Sequence, residues 1–260
     1  MLQIHTIPAF EDNYFWLIQP DTQAPCSYII DPGSAQVVHD YLKRHQLQLG
    51  GILLTHHHHD HIDGAAALRD QYQAPIYGPR SVRIPQVTHH LGEGDKLPLG
   101  NMTAKILEIP GHTLDHIAYL IETTEQPPHL FSGDTLFGAG CGRLFDGTAP
   151  LLHSALQRIA ALPEDTLIYG GHEYTLANIR FALTIEPDNT ELQARQALET
   201  EKRQQGIATL PTQLAIEKRT NPFLRCHLNS VRRSVEQISG KSLTTDADVF
   251  AGLRLIKDRF

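Results

Sequence analysis

Polar and apolar positions along the chain repeat with two different periods. Up to residue 173, short apolar runs that close on Gly, Pro or a small polar residue read as strands: "LQIHTI", "YFWLIQ", "SYIID", "GILLT", "TAKILEI", "HIAYLIE", "HLFSGD" and "TLIYGG". Between them, "SAQVVHDYLKRHQ", "IDGAAALRDQY" and "LLHSALQRIAAL" carry apolar residues three and four apart, the spacing of one helix face. Strands interleaved with helices predict a layered α/β domain over residues 1–173. Beyond it only the helical period persists, in "YTLANIRFALTIEP", "ELQARQALETEKRQQG", "LNSVRRSVEQIS" and "DADVFAGLRLIKDRF". The last of these is preceded by Thr245-x-x-Asp248, a capping box ahead of an apolar run. A helical domain is therefore expected over residues 174–260.

Composition changes this picture little. With 41% hydrophobic and 20% charged residues, the 260-residue chain has an ordinary globular balance. Its length suits one large domain, or a main domain with a smaller one attached. No apolar run reaches the roughly 18 residues of a membrane span. The start "MLQIHTIPAFEDNY" lacks the features of an export signal. Cys26, Cys141 and Cys226 have no partner at metal-binding spacing and read as reduced thiols, which predicts a cytoplasmic location.

Charge adds an asymmetry. Residues 1–173 hold 9 Lys and Arg against 19 Asp and Glu, while residues 174–260 hold 13 against 10. An acidic main body argues against a nucleic-acid partner, whose affinity rests on cationic neutralisation. A basic tail suits a small anion, although a chance imbalance over solvated helices gives the same counts. A monomer acting on a small molecule, with neither nucleic acid nor membrane as partner, is the expectation.

The candidate chemistry lies at strand ends. In four places an apolar strand runs into Gly, Thr or Ser and a metal-capable side chain follows: "GILLT-HHHHDH", "ILEIPG-H" (His112), "HLFSG-D" (Asp134) and "LIYGG-H" (His172). Side chains set at the ends of strands on a rigid scaffold can converge on one cleft. Within the histidine run the chain after Thr55 is still near-extended, so His56 and His58 face one way and His57 and His59 the other. Asp60 and His61 fall where a helix begins and can turn back toward the first pair. His56, His58, Asp60 and His61 are thus candidate ligands, and His57 and His59 are spacers. With His112, Asp134 and His172 the set reaches seven, three more than a structural zinc uses. Seven nitrogen and oxygen donors suit two divalent ions that share one bridging group and keep a position open for water. Zinc fits such a set best, and iron or manganese are also accepted. His116 follows His112 by four and has no fixed role. Asp31 in "SYIIDPG" either orients a ligand histidine or belongs to a Pro-Gly turn. A passive metal buffer would not need His112, Asp134 and His172 at matching strand ends.

The motifs "THHHHDH", "PGHTLDH", "SGDTLF" and "GHEYTLAN", in this order and spacing, resemble the metallo-β-lactamase superfamily. Within it, "IPAFEDNY", "GCGRLFDGTA" and the ending "LRLIKDRF" are similar to the hydroxyacylglutathione hydrolases, or glyoxalases II. The resemblance covers nearly the whole chain. It implies an αββα sandwich carrying the metals at its edge, followed by a small helical domain that contributes to glutathione binding. By position, His56, His58 and His112 would hold one ion and Asp60, His61 and His172 the other, with Asp134 bridging. Arg143, Tyr174, Arg254 and Lys257 would meet the glutathione moiety. Arg254 and Lys257 are three apart and share a helix face, where two cations can clamp a carboxylate; an Arg254–Asp258 pair at i,i+4 is the plainer use. Three positions depart from the family's pattern: Phe145 stands where an aromatic hydroxyl is common, and Asp63 and Asp115 stand where glycine is common.

The implied reaction is hydrolysis of S-(2-hydroxyacyl)glutathione, chiefly S-D-lactoylglutathione, to D-lactate and glutathione. A water bridging two ions loses its proton near neutral pH and attacks the thioester. Asp134, His56, His58, Asp60 and His61 would act in catalysis through that metal-held hydroxide. The thiolate leaves without a dedicated acid, because its conjugate acid has a pKa near about 8.5. The rivals are a mononuclear iron dioxygenase of glutathione persulfide, which would not need Asp60 and His61, a β-lactamase, which would carry an export signal, and a metal-binding module without turnover.

Overall fold

The computed structural model describes all 260 residues. By their contacts these fall into two units, Met1–Glu108 with Asp115–Gly133, and Ile109–Leu114 with Asp134–Phe260.

In the first unit, β1 (Gln3–Ala9), β2 (Asn13–Gln19), β3 (Cys26–Ile30), β4 (Gln48–Leu53), β5 (Ile76–Pro79) and β6 (His89–Leu91) form one sheet in sequence order. The first three strands run antiparallel, and β3 to β6 run parallel. Parallel neighbours need a crossover. It is supplied by α1 (Ala35–His45) between β3 and β4, and by the one-turn α2 (His59–Ile62) with α3 (Ala65–Tyr72) between β4 and β5. The helical period of "SAQVVHDYLKRHQ" turns Val38 and Leu42 inward, onto a core that includes Phe15, Leu17, Ile29 and Ile52. A second, antiparallel sheet follows: β7 (Lys96–Leu99), β8 (Met102–Glu108), β9 (Ile117–Ile121) and β10 (His129–Gly133). β9 is buried on both faces, which explains its unbroken apolar sequence. The buried Tyr119 of β9 donates its hydroxyl to Leu54 O at 2.8 Å and so links the two sheets.

The second unit contains β11 (Leu136–Phe137), β12 (Gly140–Cys141), α4 (Ala149–Ala160), β13 (Leu167–Gly170), α5 (Thr175–Ile185), α6 (Thr190–Gln204), β14 (Thr212–Gln213), α7 (Leu214–Thr220), α8 (Asn229–Ser239) and α9 (Asp246–Lys257). β14 departs from the expectation of helices alone beyond residue 173: two residues are too few to show a period, and they are strand only because they pair with β13. A buried knot ties these elements together. Glu217 of α7 is fully enclosed and accepts from Ala139 N at 2.8 Å, Thr212 Oγ1 at 2.8 Å, Asn221 Nδ2 at 3.1 Å and the buried Arg195 of α6. It thereby holds the turn between β11 and β12, where Ala139 takes a left-handed φ of 54°. The capping box of α9 is formed in both directions between Thr245 and Asp248.

Candidate metal centre

In the first unit, adjacent parallel strands β3 and β4 end side by side and deliver Asp31 and Thr55-His56 to one place. Groups at the carboxyl ends of parallel strands are a recurrent way of building a site. Asp31 is buried, with a left-handed φ of 50°, and its carboxylate accepts from Thr55 N (2.8 Å), Thr55 Oγ1 (2.7 Å) and His61 Nδ1 (3.1 Å). Of the two readings open for it, the structure shows a partner that orients a histidine. An ionised carboxylate only accepts, so His61 carries a proton on Nδ1, and its neutral tautomer has the lone pair on Nε2. The hydroxyl of Thr55 gives its hydrogen to Asp31, so at the 2.9 Å contact with His56 it accepts from Nδ1. His56 Nε2 is then also a lone pair. It faces His58 Nδ1 at 3.0 Å, an approach that a proton or a cation between them must stabilise. Asp31, His56 and His61 all place ligand atoms within 4.8 Å of one another. Asp60 lies 3.3 Å from His61 Nε2 through Oδ2, which accepts from Asn13 Nδ2 at 2.9 Å.

The other two histidines of the run each pair with a carboxylate elsewhere. His59 is exposed and meets Asp63 at 3.0 Å, and His57 meets Asp115 at 2.9 Å. His116 stacks on His56 with ring centres 4.6 Å apart. Gly133, at the end of β10, packs directly against Thr55 and His116. Its φ is +48°, and a Cβ there would sit 2.5 Å from Thr55 Oγ1 and 2.8 Å from His116 Cε1, so only glycine fits before Asp134.

In the second unit, Asp134 Oδ2 lies 3.2 Å from His172 Nε2 and 3.5 Å from His112 Nε2. All three are buried. The far nitrogen of His112, Nδ1, donates to Arg143 O at 2.7 Å, which again turns a lone pair on Nε2 inward. A Cβ on Gly142 would meet Asp134 O at 2.0 Å, so glycine is required for the "GCGR" loop to pass this closely. His172 stacks flat on Tyr174, with ring centres 4.7 Å apart. The donor chemistry fits divalent metal: His56, His61 and His112 each have one ring nitrogen held by an outer partner and the other turned inward, beside the carboxylates of Asp60 and Asp134.

The residues expected to meet glutathione differ in setting. Arg143 is exposed, with Nε 3.4 Å from Asp258. Arg254 is buried and engaged, donating to Cys141 O at 3.0 Å and pairing with Asp258 at 2.9 Å. Lys257 lies over the rings of Phe181 and Phe260 at 5.1 and 5.2 Å. Burial, with Arg254 and Arg180 nearby, pushes its ammonium down to about 8. Burial pushes the Cys141 thiol up to about 11, so it is protonated and packs rather than attacks. Phe145 is exposed and sets its edge against His112 at 5.2 Å. Sequence spacing did not mark Asn13 and Thr55, whose roles depend on contacts with residues distant in the chain.

A family model for the metallo-beta-lactamase superfamily matches residues 13–172, and one for the hydroxyacylglutathione hydrolase C-terminus matches residues 173–260. The hydroxyacylglutathione hydrolase of Pseudomonas aeruginosa is 46% identical over 261 residues, covering 100% of both chains. Among solved structures, ETHE1 from Myxococcus xanthus is 25% identical with a TM-score of 0.66, covering 99% of this chain and 98% of its own. The BLEG-1 B3 metallo-beta-lactamase is 26% identical with a TM-score of 0.63, covering 85% of this chain and 99% of its own. The fold is accordingly the α/β metallo-β-lactamase sandwich with a helical C-terminal region, as the motifs implied. With relatives this similar over its full length, the chain belongs to the hydroxyacylglutathione hydrolase family of the metallo-β-lactamase superfamily.

Proposed function

We propose that this chain is a metal-dependent thioester hydrolase that converts S-(2-hydroxyacyl)glutathione, chiefly S-D-lactoylglutathione, to the hydroxy acid and glutathione, the second step of methylglyoxal detoxification. The observation that carries the reading is the full-length match to hydroxyacylglutathione hydrolases, which includes the C-terminal residues 173–260 as well as the metallo-β-lactamase part. In this reading residues 1–173 supply the metal chemistry and residues 174–260 help to hold glutathione. Three cysteines without disulfide partners support a reducing, cytoplasmic setting.

His56, His58, His112 and Asp134 would hold one ion, and Asp60, His61, His172 and Asp134 the other, with zinc the preferred metal at both. Ions bound there would supply Lewis-acid polarisation of a carbonyl and a water acidic enough to serve as nucleophile near neutral pH. The chain's own residues prepare those positions. Asp31 keeps the proton of His61 on its outer nitrogen directly and that of His56 through Thr55, and Arg143 O does the same for His112. Asp134 has two oxygens and is suited to sharing. Lys257 and the exposed Arg143 offer cations to the two carboxylates of glutathione, and Tyr174 offers a hydroxyl. Arg254, enclosed and paired, acts as the strut that fixes Asp258 and the "GCGR" loop from within the same unit. A glutathione thiolate is a competent leaving group near neutral pH, so no protonating residue is required.

The test is thiol release from S-D-lactoylglutathione and from a plain aliphatic thioester, with oxygen uptake on glutathione persulfide as a control. Preference for the glutathione ester without oxygen uptake is expected. Equal turnover of both esters would break the substrate assignment while keeping the hydrolase.

A further inference from the structure

The spacer His57 is held on both sides. Its Nδ1 lies 2.9 and 3.0 Å from the two oxygens of Asp115, and its Nε2 lies 2.9 Å from Arg83 Nη1. A guanidinium has no lone pair to offer, so Nε2 must accept from Arg83 and the ring proton must sit on Nδ1, aimed at Asp115. His57 and Asp115 are nearly enclosed, with side chains 13% and 11% exposed. Bonds of this kind, charged at both outer ends and screened from water, are stronger than neutral ones. They join three stretches of the first unit: the histidine run, the segment before β9, and the segment between β5 and β6.

The neighbours of this bridge give it a use. Asp115 grips His57, and the next residue, His116, stacks on His56 with an interplanar angle of 13°. Two consecutive residues of one segment thus engage two consecutive residues of the other. Residues 56 and 57 are therefore held by contacts additional to those of Asp31 and Thr55. His56 and His58 flank His57 directly, and their inward nitrogens stand 3.0 Å apart.

We propose that Asp115 is a positioning residue for the metal site: through His57 and Arg83 it holds the loop so that His56 and His58 are set for one ion before the ion arrives. The inference rests on the reading of His56 and His58 as ligands. A hydrogen-bond acceptor is what position 115 must supply, because Nδ1–H of His57 needs one. Asn can supply an acceptor through Oδ1 and Ala cannot.

The experiment measures Zn²⁺ affinity of the full chain by competition against a chromophoric chelator, alongside Tm of the metal-free protein. Asp115→Ala is expected to weaken one of the ions by up to about 10-fold, the low end of what losing a ligand's direct outer partner costs, because Asp115 acts one residue further out, through His57. Asp115→Asn should recover most of that loss. In a His57→Ala background, Asp115→Ala should add nothing further. Unchanged Zn²⁺ affinity in Asp115→Ala, even with a lowered Tm, would overturn the proposal, because the bridge would then serve only the fold. So would equal losses in the Asn and Ala variants, which would point to long-range charge, or additive losses with His57→Ala. A His56→Ala variant that binds as the unsubstituted chain does would remove the ligand reading itself, and this inference with it.

Discussion

Replacing Asp31 by Asn tests how far proton placement governs the metal site. The carboxylate receives three hydrogen bonds in a buried pocket, from Thr55 N (2.8 Å), Thr55 Oγ1 (2.7 Å) and His61 Nδ1 (3.1 Å). Asn can accept from Thr55 N through its oxygen, but its NH₂ then faces the other two partners. The Thr55 hydroxyl must turn round and accept, which frees its hydrogen to point at His56 Nδ1. His61 must likewise accept at Nδ1 or lose the contact. In both rings the proton moves to Nε2, the atom meant for metal. A misplaced outer partner costs about 10- to 100-fold in metal affinity, or roughly 1.4–2.7 kcal/mol for each ligand. His56 and His61 are assigned to different ions, so both affinities should fall. The metal-free fold should lose less, about 1–2 kcal/mol, the difference between charged and neutral hydrogen bonds at a buried site. Chelator competition with metal analysis reads the first effect, and thermal melting without metal reads the second. If Asp31→Asn held both ions at the original affinity, the tautomer reasoning would be wrong.

The other predictions separate binding, folding and metal. Lys257→Ala should raise KM for glutathione thioesters with kcat nearly unchanged, the mark of lost uniform binding, and should not lower Tm, because burial already disfavours the charged ammonium in the fold. Arg254→Ala should raise KM and also lower Tm, because its buried bond to Cys141 O is lost; identical Tm in the two variants would refute the distinction. KM should climb as pH rises through about 8, where Lys257 loses its charge, and Lys257→Arg should flatten that climb. Stability moves the opposite way: folding depresses this pKa from 10.5, so between about 8 and 10.5 the unfolded chain binds more protons and the fold gains as pH rises. Glu217→Ala leaves the buried Arg195 with only Glu199, 3.9 Å from its Nε, at a cost of about 3 kcal/mol and several degrees in Tm. Asp134→Ala should abolish binding of both ions by metal analysis; full activity with one retained ion would sink the shared-ligand assignment.

Long periodic segments were legible and short ones were not. The helical stripe of "DADVFAGLRLIKDRF" and its Thr245–Asp248 cap appear as expected. β5, β6, β7, β11, β12 and β14 have two to four residues each, and four of them include His, Lys, Pro or Gly, so no period can form and only pairing makes them strands. The change of period near residue 173 and the grouping by contacts describe different properties. The first marks where the longer strands stop, while the second gathers Ile109–Leu114 and Asp134 onward with the helices. At the candidate site, alternation along an extended strand separated His56 and His58 from His57, because facing is a local property. What Arg254 touches is not local. Its spacing from Lys257 fixed the shared helix face, and only the packing shows that one cation is enclosed against Cys141 O while the other rests on aromatic rings.

The two acidic departures, Asp63 and Asp115, each answer one of the spacer histidines, and burial decides what each pairing is worth. His59 and Asp63 lie four apart with side chains 90% and 59% exposed, so water screens them. Exposed pairs of this kind contribute about 0.3–0.5 kcal/mol. The identical chemistry between His57 and Asp115 is enclosed and anchored by Arg83. A histidine run therefore has two kinds of spacer: His59 can change with little effect on ion affinity, whereas His57 transmits the geometry of its neighbours. Zn²⁺ competition on His59→Ala and His57→Ala distinguishes them directly. Equal affinities in the two variants would mean that enclosure adds nothing to the metal site.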